Sequence, residues 1–216
     1  MRGLTGGCAK GYQRAGFYVV GVDNRPQPRY CGDEFYQADA LEFLAEHGHE
    51  FDAIHASPPC QGYSRMRHLP WLAGKKYELL IEPVREAMIA SGKSWVIENV
   101  ADAPLASHGA GVILCGTMFD LKCFRHRRFE TSFLCWQPEH KKHTRTLGKS
   151  ALLESRRTIA EDGWISVLGK CSRKLTDAGR AAMGVEWMQG AVEVSQAVPP
   201  AYTEFVGRQL IAALPS

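Results

Sequence analysis

Three short stretches carry residues able to do chemistry together. The first is Ser57-Pro58-Pro59-Cys60-Gln61-Gly62-Tyr63-Ser64, directly after an apolar run. Two prolines stiffen the approach to a thiol and cannot continue a strand ladder, so Cys60 belongs in a loop at a sheet edge. At its unperturbed pKa only about a tenth or less of a thiol is thiolate at neutral pH, so a nucleophilic Cys60 needs a positive surround. The second is Glu98-Asn99-Val100, again at the end of an apolar run. A carboxyl buried there is costly to ionise, its pKa rises, and it becomes able to donate a proton. The third is Arg125-His126-Arg127-Arg128-Phe129-Glu130, which opens another strand with alternating charge. Taken alone, such an arginine cluster reads as a solvated or phosphate-contacting face.

The elements that must position these residues alternate between strand and helix, the pattern of an α/β sheet. Strands are expected over 17–22, running into Asp23, over 51–56, and over 95–97, ending at Glu98-Asn99. Two more are expected at 111–114 and 129–134. Helices are expected over 8–15, 40–46 and 77–90, with a short one capped by Thr176 and ending at Met183. A last helix follows Pro199-Pro200, with Tyr202, Phe205, Val206, Leu210, Ile211 and Leu214 on one apolar stripe. Polar or reactive residues therefore sit at strand C-termini, the edge where open α/β sheets bind ligands.

At 216 residues with 45% hydrophobic and 23% charged positions, the chain fits one soluble domain or a domain with a small lobe. No apolar run is long enough to span a bilayer. Seven cysteines without a Cys-x-x-Cys pair read as reduced thiols, and hence as a cytoplasmic protein. The net charge of +3 is uneven. Residues 1–121 hold 11 Lys/Arg against 14 Asp/Glu, whereas residues 122–180 hold 14 against 6. One basic block on an acidic body points to a polyanionic partner.

In this order and on these elements, the motifs resemble those of the DNA (cytosine-5)-methyltransferases. Pro59-Cys60-Gln61, Glu98-Asn99-Val100 and Arg125-His126-Arg127 are similar to the family's three hallmark motifs. Gly6-Gly7 with Gly11-Tyr12-Gln13-Arg14-Ala15-Gly16-Phe17 resembles its glycine-rich cofactor loop and first helix, and Ser195–Pro200 resembles the segment before its last helix. The likeness spans nearly all of the chain except 135–175. It implies an open, doubly wound sheet of the S-adenosylmethionine-dependent methyltransferase type with a small basic DNA-recognition lobe. The domains would be a core over 1–134, the lobe over 135–175, and C-terminal helices over 176–216 returning to the core.

The resemblance also implies roles. Cys60 would attack C6 of a flipped cytosine, Glu98 would hold N3 and the exocyclic amine, and Arg127 with Arg125 would contact O2 and a phosphate. Gly6, Gly7, Asp23 and Asp39 would bind S-adenosylmethionine, with Asp23 on the ribose and Asp39 on the adenine amine. Gln61, Ser64 and Arg128 would contact DNA. The protein would be a monomer acting on double-stranded DNA, of the solitary bacterial or phage type known from restriction-modification systems, with no membrane association. A catalytically impaired DNA-binding relative and an RNA cytosine-5 methyltransferase are the alternatives.

Two departures qualify the likeness. The family's glycine loop follows an apolar first strand, which Met1-Arg2-Gly3-Leu4-Thr5 does not provide, so that strand is expected to be missing. Either it lies upstream or cofactor binding is weak. Cys135, His140, His143 and Cys171 are zinc-compatible residue types, but their spacing is poor for a known finger, and the sequence reading assigns no metal.

Overall fold

The structure is a computed structural model that describes residues 6–70, 74–106, 111–140, 142–143, 164–165 and 173–215. The chain runs α1 (Gly7–Ala15), β1 (Val20–Asp23), β2 (Glu34–Gln37), α2 (Ala40–His47), β3 (Ala53–Ala56), α3 (Ile81–Ala90), β4 (Ser94–Val100), β5 (Gly111–Leu114), β6 (Arg127–Thr131), α4 (Arg173–Met183), α5 (Ala191–Gln196) and α6 (Pro200–Ala213).

The expected single sheet is split in two. β1 and β2 form a parallel pair, and β3-β4-β6-β5 form a four-stranded sheet in that order. Within the larger sheet β3 and β4 are parallel, whereas β6 runs antiparallel to both of its neighbours. Among the described residues, no backbone ladder joins β1 to β3.

Helices cover both faces. On one side Tyr12 of α1 and Tyr202, Val206 and Leu210 of α6 pack against Val96, Val112, Leu114 and Phe129 of the larger sheet. On the other, Ile81 and Met88 of α3 cover Trp95 and Ile97, with Leu44 of α2 alongside. The alternation Trp95/Val96/Ile97 between two cores is what a strand buried on both faces requires. A third cluster gathers Met183, Val185, Met188 and Val194 around Cys123 and Ile165. No helix among the described residues is long and apolar enough to cross a membrane.

Several expected boundaries move. The helix expected from residue 77 begins at Ile81, with Pro83 in its first turn, where a proline costs no hydrogen bond. Thr176 lies buried inside α4 and does not cap it. Glu98 and Asn99 belong to β4 itself, and β6 starts at Arg127 and ends at Thr131. The segments β2 and α5 were not anticipated.

One buried ion pair pins the sheet to α3. Glu130 on β6 accepts Nε and Nη2 of Arg85, both at 2.8 Å, and the Ala106 N–H at 2.7 Å. Burial alone would raise the Glu130 carboxyl, but Arg85 and the Ala106 N–H hold it below the ordinary range. Removing one partner strands the other charge, so Arg85→Met is expected to lower unfolding free energy by about 3 kcal/mol in urea titration. A loss below 1 kcal/mol would show that water reaches the pair.

Candidate active site

The Cys60 loop is built by backbone closure. The Cys60 carbonyl accepts the N–H groups of Tyr63 (3.1 Å) and Ser64 (3.0 Å), so the chain turns immediately beyond the thiol. Asn99 ties this loop to β4, donating from Nδ2 to the Pro58 carbonyl at 2.9 Å. The strand carrying the carboxyl thus holds the loop carrying the sulfur.

Glu98 and Arg127 lie on one face of neighbouring antiparallel strands, offset by one diagonal step: Glu98 stands opposite Phe129, and Arg127 opposite Val100. Arg127 Nε reaches Glu98 Oε1 at 3.0 Å. Glu98 is only 5% exposed. Burial pushes its carboxyl above the ordinary range, while Arg127, a hydrogen bond from Ser57, and Arg125 pull it back without cancelling the rise. Arg125 is buried, donates from Nη2 to the Ser195 carbonyl at 2.8 Å, and has its own carbonyl held by Tyr202 Oη. Burial and the neighbouring Arg127 lower its guanidinium to about 9.

The Cys60 thiol sits in the field of all three. Burial raises its pKa most, Arg127 and Arg125 lower it, and Glu98 raises it. In the free protein the sulfur is therefore held as a thiol, with two guanidiniums placed to stabilise it once it ionises.

Beneath the pair lies a row of hydrogen bonds that the sequence reading missed. Tyr12 Oη is 2.9 Å from His55 Nδ1, His55 Nε2 is 3.0 Å from Ser57 Oγ, and Ser57 is hydrogen-bonded to Glu98. One tautomer satisfies the whole row: Tyr12 donates to Nδ1, Nε2–H donates to Ser57, and Ser57 donates to the carboxylate. Protein surrounds the His55 ring, which is only partly accessible through a cavity, and burial lowers its pKa to about 4 from an ordinary 6.5. The unfolded chain then binds the proton more readily. Stability from neutral His55 is full above about pH 6.5 and is lost as the pH falls toward 4. The loss between pH 7 and pH 5 is expected to be at most about 2 kcal/mol, read from urea midpoints. His55→Gln should flatten that dependence; an unchanged slope would mean other groups cause it.

The cavity has a volume of about 310 Å³ and lies between β1 and β3, lined by Val20–Asp23 on one side and Ala53–Pro59 on the other. Gly6, Asp23 and Asp39 all border it, so three of the four expected cofactor residues meet there. Gly6 has φ 85°, a left-handed conformation, and an added Cβ would fall 2.5 Å from Cys31 Sγ. Asp23 is 5% exposed, and its Oδ1 accepts the Arg25 N–H. Asp39 caps α2, with Oδ1 accepting from the Leu41 and Glu42 N–H groups. Gly7 differs. A Cβ there would lie 2.4 Å from the Val198 carbonyl, so packing against the C-terminal segment explains this glycine, and it does not line the cavity.

The fold has a known counterpart. A crystal structure of a prophage-encoded E. coli protein, provisionally described as a DNA modification methyltransferase, superposes with a TM-score of 0.54 at 13% identity, covering 97% of this chain and 96% of that one. At that identity the likeness establishes a shared fold. No family model matches the sequence, and no curated protein does either.

Of the expected DNA contacts, Gln61 and Ser64 lie half-buried in the Cys60 loop, beside the thiol. Arg128 is elsewhere. Strand alternation turns it to the opposite face from Arg127, where Nε donates to the Ala101 carbonyl (3.1 Å) and Nη1 to that of Leu105 (3.3 Å). It fastens the segment after β4 and is not aimed at the thiol. Arg125, Arg127, Glu98 and Cys60, by contrast, form one electrostatically coupled group. Of the expected lobe, only Cys135–His140, Lys142–His143, Trp164–Ile165 and Arg173–Leu175 fall among the described residues, and Cys171 lies outside them.

Proposed function

We propose that this chain methylates C5 of a cytosine flipped out of duplex DNA, with Cys60 as nucleophile and S-adenosylmethionine as donor. The observation that carries the reading is the convergence of Cys60, Glu98 and Arg127 at one sheet edge beside a cavity bordered by Gly6, Asp23 and Asp39.

Extrusion of the base brings its ring within reach of groups that a stacked duplex would hide. The Cys60 sulfur bonds to C6, and the electron pair of the C5–C6 double bond moves onto C5. Glu98, kept protonated more readily than an ordinary carboxyl, donates a hydrogen bond to N3 and so disperses that charge. Arg127 and Arg125 place positive charge beside both the sulfur and the base O2, which favours ionised sulfur as the bond forms. Asp23 and Asp39 would hold the donor, whose sulfonium would give its methyl group to C5 and leave as a neutral thioether. Loss of the C5 proton then restores the double bond and breaks the S–C6 bond, regenerating Cys60. The basic residues of 122–180 supply the phosphate contacts of the duplex.

A second reading is a DNA-binding protein of the same fold without turnover: among the described residues no strand pairs with both β1 and β3 at the cavity, and Met1–Thr5, where the first strand was expected to be missing, lie outside them. Bisulfite sequencing of DNA from cells expressing the chain separates the two. Methylation is expected as resistant cytosines in one short sequence context, absent with Cys60→Ala. DNA binding by the purified protein with no resistant cytosine would favour the second reading, and label transfer to RNA alone would replace the substrate.

A further inference from the structure

Four side chains from three separate stretches meet at the start of β6, next to Arg127 along the chain. Cys115 follows β5, His126 immediately precedes β6, and His140 and His143 come from the stretch beyond it. Their ligating atoms all lie within 4.8 Å of one another. His140 Nε2 is 2.9 Å from His143 Nε2, and Cys115 Sγ is 3.4 Å from His143 Nε2.

We propose that Cys115, His126, His140 and His143 form a four-coordinate zinc site. A tetrahedral ion at ordinary Zn–N and Zn–S lengths separates its ligand atoms by roughly 3.3–3.7 Å, and the separations here bracket that range. Two imidazole nitrogens facing each other at 2.9 Å need either a shared proton or a cation between their lone pairs, and a thiol beside them adds a third donor aimed at the same point. One sulfur with three imidazoles suits zinc, whereas harder cations take oxygen ligands. Four protein ligands leave no open position, so the site is structural.

The surroundings fit that role. Cys115 is fully buried, and Thr117 Oγ1 donates to its sulfur at 3.4 Å, the kind of outer hydrogen bond that stabilises a bound thiolate. Phe124 stacks on the His143 ring with centroids 4.1 Å apart and an 18° tilt, and Trp164 packs on Phe124. The four residues are spaced 11, 14 and 3 apart, a pattern with no recognised motif. Cys135, a zinc-compatible residue in the sequence, is buried elsewhere beside Gln209 and is not a ligand.

The consequence falls on the arginines. His126 stands between Arg125 and Arg127, and alternation sends its ring away from theirs. A bound ion would clamp this point to the end of β5 and to residues 140–143, fixing the start of the strand that aims both guanidiniums at Cys60. Zinc here positions catalytic groups and touches no substrate.

The test does not depend on methyl transfer. Full-length protein purified without chelator is expected to carry one equivalent of zinc by mass spectrometry. Exchange with Co²⁺ should give tetrahedral d–d bands and one thiolate-to-cobalt charge-transfer band. That band should vanish in Cys115→Ala and persist in Cys31→Ala, and the d–d bands should weaken in His143→Ala. Should a variant fail to fold, the metal content and cobalt spectrum of the unaltered protein decide alone. No zinc and no cobalt spectrum, or a charge-transfer band surviving Cys115→Ala, would overturn the site.

Discussion

Cys60→Ala is expected to lower methyl transfer by a factor on the order of 10⁴ or more, because the proposed mechanism runs through the bond from its sulfur to C6. The thiol is only half-buried in a loop and closes no core cluster, so the variant should unfold at nearly the same urea concentration as the parent. A covalent readout makes the assignment direct. DNA with fluorine at C5 of the target cytosine cannot lose a proton there, so the S–C6 bond persists. The parent protein should form a complex resistant to denaturant, and Cys60→Ala should form none. Retention of turnover within tenfold in Cys60→Ala would end the covalent mechanism.

The second large effect belongs to Glu98. Glu98→Gln keeps the shape of the side chain but removes its proton and its charge, and turnover is expected to fall by about 10²- to 10⁴-fold. The same variant has a signature on the sulfur that a general loss of structure would not give. Glu98 raises the Cys60 pKa and Arg127 lowers it. Glu98→Gln should therefore move the pH midpoint of Cys60 alkylation by iodoacetamide downward, whereas Arg127→Gln should move it upward. Shifts in the same direction would show that burial alone controls the thiol.

Much of this site was legible in the sequence because two of its parts end apolar runs and the third opens a strand. The β-branched and apolar residues before Ser57 and before Glu98 could only be strands, and the prolines at 58 and 59 forced Cys60 outward. Strand alternation then placed Arg125 and Arg127 on one face. The same reasoning misjudged Arg128, since alternation sends the third arginine across the sheet, where two backbone carbonyls hold it. β2 escaped notice because Glu34-Phe35-Tyr36-Gln37 is short and polar-ended and pairs on one edge only. His55 gave no signal, since one histidine in an apolar strand looks like a partnered core residue. Its importance arises only when folding sets Tyr12 and Ser57 on either side. Half of the Cys115 cluster was hidden for a related reason: His140 and His143 were visible as zinc-compatible residues, but Cys115 and His126 are set side by side by the antiparallel turnback of β5 and β6, which no local spacing encodes.

The divided sheet has a consequence for how the molecule opens. With no main-chain pairing across the interval among the described residues, the β1–β2 pair is expected to detach at a free energy below that of global unfolding, as a cooperative unit distinct from the β3–β6 block. A molecule lodged in the cavity touches both units at once, so its occupancy acts as an adhesive between them. Amide protons of Val20–Asp23 would then exchange more slowly while a ligand fills the space beside them, and under the proposed function loading the donor would become part of completing the domain.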